Sequence, residues 1–114
     1  MLTPAAYKHL DHLNDRILAG CTDVIERYNL PGYAIGVGGK GCVTFSTAKI
    51  TDYASFKENQ DKDLAELAWL FNMNRGIFMT PGREEEWTLS VTHTDEAIDA
   101  YIAVFDEMAR DLTA

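Results

Sequence analysis

From Tyr7 onward, apolar side chains return at steps of three and four: Tyr7, Leu10, Leu13, Ile17, Cys21, Val24 and Tyr28. That spacing predicts one amphipathic helix with a single apolar stripe. Thr3 and Pro4 open it, the hydroxyl capping free N–H groups and the proline standing at the first helical position, where its missing donor costs nothing. Asn29-Leu30-Pro31-Gly32 ends it. At 1.5 Å per residue such a helix is about 37 Å long, whereas a compact chain of this size is about 34 Å across. The helix is therefore expected to overhang its own domain and to offer its stripe as a core or interface face.

The period then changes. Tyr33–Val37 alternates apolar with small residues and residues 42–45 form a second short apolar run, predicting an antiparallel pair with glycines at the corner. Asp52 and Asp61 offer two successive caps, the second opening a helix with Leu64, Leu67, Ala68 and Phe71 on one face. Asn74-Arg75-Gly76 closes that helix, with Gly76 placed for a left-handed cap. Residues 77–79 read as a short strand, 80–83 as a turn and 87–91 as another strand. Thr94 caps a last helix whose stripe is Ile98, Tyr101, Ile102, Phe105, Met108 and Leu112, with Asp99, Asp106, Glu107 and Arg110 toward water. The order helix, two strands, helix, two strands, helix describes an α+β fold: a small, largely antiparallel sheet of three or four strands with helices packed on one face.

Composition adds limits. The 114 residues suit one domain, 1–114, with an ordinary core. A net charge of -8 repels phosphate backbones and argues against nucleic acid or an anionic membrane surface as partner. The two cysteines, Cys21 and Cys42, form no C-x-x-C pair, so a reduced setting is expected. Charges within the first twelve residues do not make a secretory signal, and no apolar run approaches a membrane span, so the expected location is cytoplasmic.

Candidate chemistry is sparse. Gly36 to Gly41 reads GVGGKG and satisfies G-x-G-x-x-G, but a dinucleotide loop must open a helix, and a strand follows here. A Walker loop fails because Cys42 stands where G-K-S/T is required. The glycines are better explained by positive φ or close backbone approach. His9 and His12, three apart, lack further ligands for a tetrahedral metal and read as surface histidines. His93 precedes the last cap, where an aromatic residue can staple the chain to the first helical turn. Arg83, Glu84, Glu85 and Glu86 put a cation and three acids on a loop between strands. By themselves they allow a binding loop or a solvated turn, and favour the turn. No nucleophilic triad can be assembled from residue order.

The run Asn74-Arg75-Gly76-Ile77-Phe78-Met79-Thr80-Pro81, followed by Leu89-Ser90-Val91-Thr92-His93-Thr94-Asp95-Glu96-Ala97-Ile98-Asp99, resembles the C-terminal end of class III aminotransferases, especially glutamate-1-semialdehyde 2,1-aminomutase and its relatives. Leu2-Thr3-Pro4-Ala5-Ala6-Tyr7, with Leu10, Leu13 and Arg16, looks like the helix leading into that family's small domain. The resemblance departs at Gly38-Gly39-Lys40-Gly41-Cys42, where family members commonly carry Gly-Ser-Met-Phe.

This resemblance implies the small domain of a pyridoxal-phosphate enzyme whose large domain supplies the cofactor lysine, the acid facing the pyridinium nitrogen and the phosphate cup. None of Lys8, Lys40, Lys49, Lys57 and Lys62 matches the cofactor lysine. The chain is thus expected to hold no cofactor alone and to have no catalytic residue of its own. The family's loop glutamate falls at Glu85, with Arg83, Glu84 and Glu86 around it, which raises that loop to the expected cofactor-pocket remnant. Expected partners are an aminotransferase large domain or another copy of the chain. The alternative is a non-catalytic module that self-associates or docks to a full-length relative.

Overall fold

The computed structural model describes residues 2–80 and 86–114. Helix α1, Pro4–Tyr28, begins where the Thr3 hydroxyl accepts the Ala6 N–H, and ends at Asn29 in the left-handed region (φ 52°). The Leu30 N–H then reaches back to the Ile25 carbonyl, so the last turn keeps its acceptors satisfied. Strands β1, Tyr33–Val37, and β2, Lys40–Thr44, follow as an antiparallel hairpin, Val37 facing Lys40 across Gly38 and Gly39. Gly38 has φ +60°, the conformation that a two-residue hairpin loop demands and glycine supplies without steric cost. The short helix α2, Tyr53–Asn59, carries a reciprocal Asp52–Ser55 capping box. Helix α3, Lys62–Asn74, is capped by Asp61; strand β3 is Trp87–Thr88, and helix α4, Asp95–Thr113, starts at the Thr94 cap.

The three strands run β1-β2-β3, antiparallel throughout. Helix α1 packs on one sheet face and α4 lies along α1, with α3 against α4. The α+β architecture is the expected one. The core is the stripe of α1 (Leu13, Ile17, Cys21, Val24) meeting Ile98, Tyr101, Phe105 and Met108 of α4, with Val43, Phe45 and Trp87 from the sheet side. Tyr101 stands edge-on to Trp87 with ring centroids 6.0 Å apart. Burial pushes the Cys21 thiol up to about 12, so it behaves as a small core hydrophobe rather than a nucleophile. Both cysteines are free. The longest dimension of the molecule is 40 Å, close to the length of α1, and the N-terminal end of the stripe is left uncovered: Leu2 and Tyr7 are more than half exposed.

Several expectations are corrected. Residues 77–79 form no strand. Their backbone groups are spent elsewhere: the Ile77 N–H closes the end of α3 on the Asn72 carbonyl beside left-handed Gly76, and Met79 gives its carbonyl to the Trp69 indole. The expected strand 87–91 stops at Thr88, because Ser90, Thr92 and His93 bond to one another's backbone and hydroxyls and compete with the ladder. The second strand starts at Lys40 rather than at residue 42. Asp52 opens a helix of its own, giving two helices between β2 and β3. On α3 the buried side is Ala65, Ala68 and Asn72, whereas Leu67 is exposed; small side chains let the helix approach α4 closely.

The acids assigned to water are occupied, Asp99 being exposed and Asp106 and Glu107 half-buried. Asp99 takes a two-point bond from Arg16 at 2.8 Å, Asp106 accepts from the Tyr28 hydroxyl at 2.7 Å and from Arg27 at 3.1 Å, and Glu107 pairs with Arg75. These bonds hold α4 to α1 and α3. The Arg16 bond lowers the Asp99 carboxyl below its usual range, and the Tyr28 hydroxyl, then Arg27, do the same for Asp106. A lowered folded-state value means stability fully present above the unfolded value of about 3.9 and lost as pH falls through the folded one. Thermal melts between pH 5 and pH 3 are expected to show a steeper loss in the native chain than in an Asp99→Asn/Asp106→Asn variant. Parallel curves would remove these pairs from the stability account, and solvent screening keeps the difference small.

Candidate functional site

Alternation sorts the sheet into two faces. The inner one carries Ala34, Gly36, Gly41, Val43 and Trp87; the outer one carries Tyr33, Ile35, Val37, Lys40, Cys42 and Thr88, as the paired registers require. Gly36 and Gly41 are directly opposite one another on the inner face. A Cβ on Gly41 would stand 2.6 Å from the Trp87 ring, and one on Gly36 would stand 2.6 Å from the Lys40 carbonyl and 3.1 Å from Asn14 Nδ2. The two glycines thus cut a notch that Trp87 and Asn14 fill. Asn14, buried on α1, accepts the Trp87 indole N–H at 2.8 Å and donates to the Lys40 carbonyl at 3.4 Å. The G-x-G-x-x-G pattern is accounted for by a hairpin turn and two close approaches.

This knot fixes where β3 enters the sheet, and with it the residue just before the strand. Glu86 forms an ion pair with Lys40 at 2.9 Å, both side chains remaining largely solvated. Of the four residues expected at the site, Glu86 is placed here, while Arg83, Glu84 and Glu85 lie outside the described residues. Glu86 borders two adjoining outer-face concavities, of about 340 and 240 Å³, that share Ile35 and Cys42 with it. It also borders a cleft of about 400 Å³ under β3 lined by Met79, Trp87, His93 and Tyr101. The outer face is unusually apolar for an exposed surface: Ile35 is 53% and Val37 84% accessible. A larger concavity, about 700 Å³, lies elsewhere, between the end of α1 and residues 46–49, and gathers no acid or histidine among the described residues.

The histidines occupy the other side of β3. His9 donates Nε2–H to the His93 carbonyl and His12 donates to Asp95, each at 2.9 Å. They tie α1 to the start of α4. Among the described residues no group of three His, Cys, Asp or Glu side chains is placed to hold a metal ion. His93 acts through its Nδ1, which accepts the Ser90 N–H at 2.9 Å, rather than as the apolar staple its position suggested.

A pyridoxal phosphate needs an amine to carry it, an acid toward its ring nitrogen and a cup of N–H groups for its phosphate. Among the described residues, the four helix N-termini carry the side-chain caps Thr3, Asp52, Asp61 and Thr94, and Lys40 pairs with Glu86. What the outer face offers is an apolar wall with a charged rim.

The sequence did not single out Lys40 or Asn14. A Gly-Gly pair read strictly as a two-residue hairpin loop would have set Val37 opposite Lys40 and put Lys40 on the outer face; nothing in the sequence joins Asn14 to Trp87.

Similarity searches agree with this geometry. No family model matches the chain. Over 92% of its length the chain is 31% identical to a glutamate-1-semialdehyde 2,1-aminomutase from Macrococcus caseolyticus, covering 24% of that protein. Its fold recurs in a glutamate-1-semialdehyde aminomutase from Pseudomonas aeruginosa PAO1 with a TM-score of 0.88 over 96% of this chain and 24% of that one, at 19% identity. That enzyme has also been solved in complex with PMP. An omega-transaminase from Sphaerobacter thermophilus matches 99% of this chain and 26% of its own, with a TM-score of 0.81 and 20% identity. The chain spans about a quarter of the length of the relatives it matches, and it resembles their C-terminal small domain. No helix among the described residues is long and apolar enough to cross a membrane.

Proposed function

We infer that this chain, a likeness of the class III aminotransferase small domain in fold and sequence, serves as the closing domain of a pyridoxal-phosphate aminotransferase or aminomutase and is catalytically silent without a large domain. The observation that carries the reading is the match of nearly the whole chain to one quarter of an aminomutase. The cofactor supplies the electron sink for amino-group chemistry, and a large domain supplies its lysine and phosphate cup. This chain contributes the apolar wall of Ile35 and Val37, which excludes water when laid over a bound amino acid. Glu85 is the acid proposed to face the cofactor pocket, flanked by Arg83, Glu84 and Glu86.

The purified chain, given pyridoxal phosphate and an amino donor, is expected to show no aminotransferase or aminomutase turnover. Borohydride treatment followed by mass spectrometry should leave Lys8, Lys40, Lys49, Lys57 and Lys62 unmodified. Turnover, or a stoichiometric adduct on one of those lysines, overturns the reading.

A second reading, a self-associating module, draws on the exposed Ile35 and Val37 of the sheet and Leu67 and Leu70 of α3. Light scattering over a concentration series separates the two, since a chain monomeric throughout has no such role.

A further inference from the structure

The turn that joins β3 to α4 is built around one imidazole. Ser90 donates its backbone N–H to His93 Nδ1 at 2.9 Å, and His93 returns its own N–H to the Ser90 carbonyl at 3.1 Å. The Ser90 hydroxyl lies 2.7 Å from that of Thr92 and accepts the Thr92 N–H at 3.3 Å. From α1, His9 holds the His93 carbonyl. His93 also lines the cleft under β3 together with Trp87 and Leu89.

A ring nitrogen that accepts a hydrogen bond must keep its lone pair, and an imidazolium has none to offer because both nitrogens carry hydrogen. The Ser90–His93 bond therefore exists only while the ring is neutral with its proton on Nε2. We propose that the 90–93 turn is an acid-released latch: when His93 takes up a proton, the Ser90 N–H loses its acceptor and the turn loosens at Ser90, while the His93 N–H to Ser90 carbonyl and Thr92 N–H to Ser90 hydroxyl bonds remain.

Among the described residues, the charged and titratable groups around the turn include His9, His12 and Arg16 on α1, Asp95 and Glu96 in the first turn of α4, and Glu86 and Tyr101 along the shared cleft. Glu86 is occupied by Lys40. His9 keeps its bond in either charge state, because a carbonyl accepts from the neutral and the protonated ring alike. His12 bonds Asp95 at 2.9 Å, so α1 keeps its hold on the first turn of α4. The release is confined to the turn and the strand end that follows Glu86 and Trp87.

Nitrogen-15 NMR of the full chain between pH 8 and pH 5 tests this. The Ser90 amide signal is expected to move with the same midpoint as the His93 ring. Its exchange protection, corrected for intrinsic pH dependence, should fall about fivefold, the scale of one net hydrogen bond. His93→Asn supplies an acceptor that does not titrate, and in that variant the Ser90 signal should be insensitive to pH. His12→Asn should leave the response intact, so the proposal stays testable if His93→Asn does not fold. A Ser90 amide unmoved while His93 titrates overturns the latch, as does a full response in His93→Asn or a lost response in His12→Asn.

Discussion

Gly41→Val is expected to destabilise the fold by about 3 kcal/mol or more, combining overpacking with loss of a buried hydrogen bond. The first atom added at Gly41 falls 2.6 Å from Trp87 Cζ2 and 2.8 Å from the Ile35 carbonyl. The ring could swing away, but its indole N–H would then leave Asn14, and the carbonyl belongs to the neighbouring strand and cannot move alone. Gly39→Ala is the control within the same glycine run, because its added carbon would meet only Leu10 at 3.6 Å, an ordinary contact. Denaturant unfolding of the two variants tests the notch; a Gly41→Val chain within about 0.5 kcal/mol of the native one, the spread of an ordinary surface change, would show that the glycines make no room for Trp87.

Asn14→Leu should cost about 2–4 kcal/mol, since it strands two groups at once. The Trp87 N–H and the Lys40 carbonyl both lose Asn14, and Trp87 is only 5% exposed, so water does not readily replace the donor's partner. Removing the stranded donor as well should recover part of the loss: Trp87→Phe in the Asn14→Leu background is expected to be less damaging than the sum of the single changes. A strictly additive cycle, measured by unfolding of all four chains, would mean that the bond contributes no coupling. Both substitutions also reach the residues of the proposed site. The knot of Gly36, Gly41, Asn14 and Trp87 sets the register of β3, and that register brings Glu86 to Lys40.

Much of the fold was legible because local rules and the global pattern agreed. Thr3-Pro4, Asp61 and Thr94 each sit at an observed cap, Gly76 is left-handed (φ +82°), and Tyr33–Val37 is the strand its alternation suggested. The failures cluster where a backbone group had a better partner than a neighbouring strand. Residues 77–79 carry apolar side chains that suit a strand, yet the end of α3 and the Trp69 indole claim their N–H and carbonyl groups. On α3, apolar residues occur at too many positions to single out one stripe, and the face that packs was chosen by its alanines.

The candidate site divides in the same way. Its acids are proposed from the charged run 83–86 and from the family resemblance, whereas the pairing of Glu86 with Lys40 depends on a strand register that no local motif encodes. Sequence by itself determined the first and last amphipathic helices, their caps, the hairpin corner and the family resemblance, because each is written in spacing, turn chemistry or motif within a few dozen residues. Only the tertiary structure decided what the glycines make room for and which acids clamp α4 to α1. Those outcomes join residues up to 83 positions apart, and contacts at such separation arise when packed elements bring donors, acceptors and ring faces to one place, leaving no periodic trace along the chain.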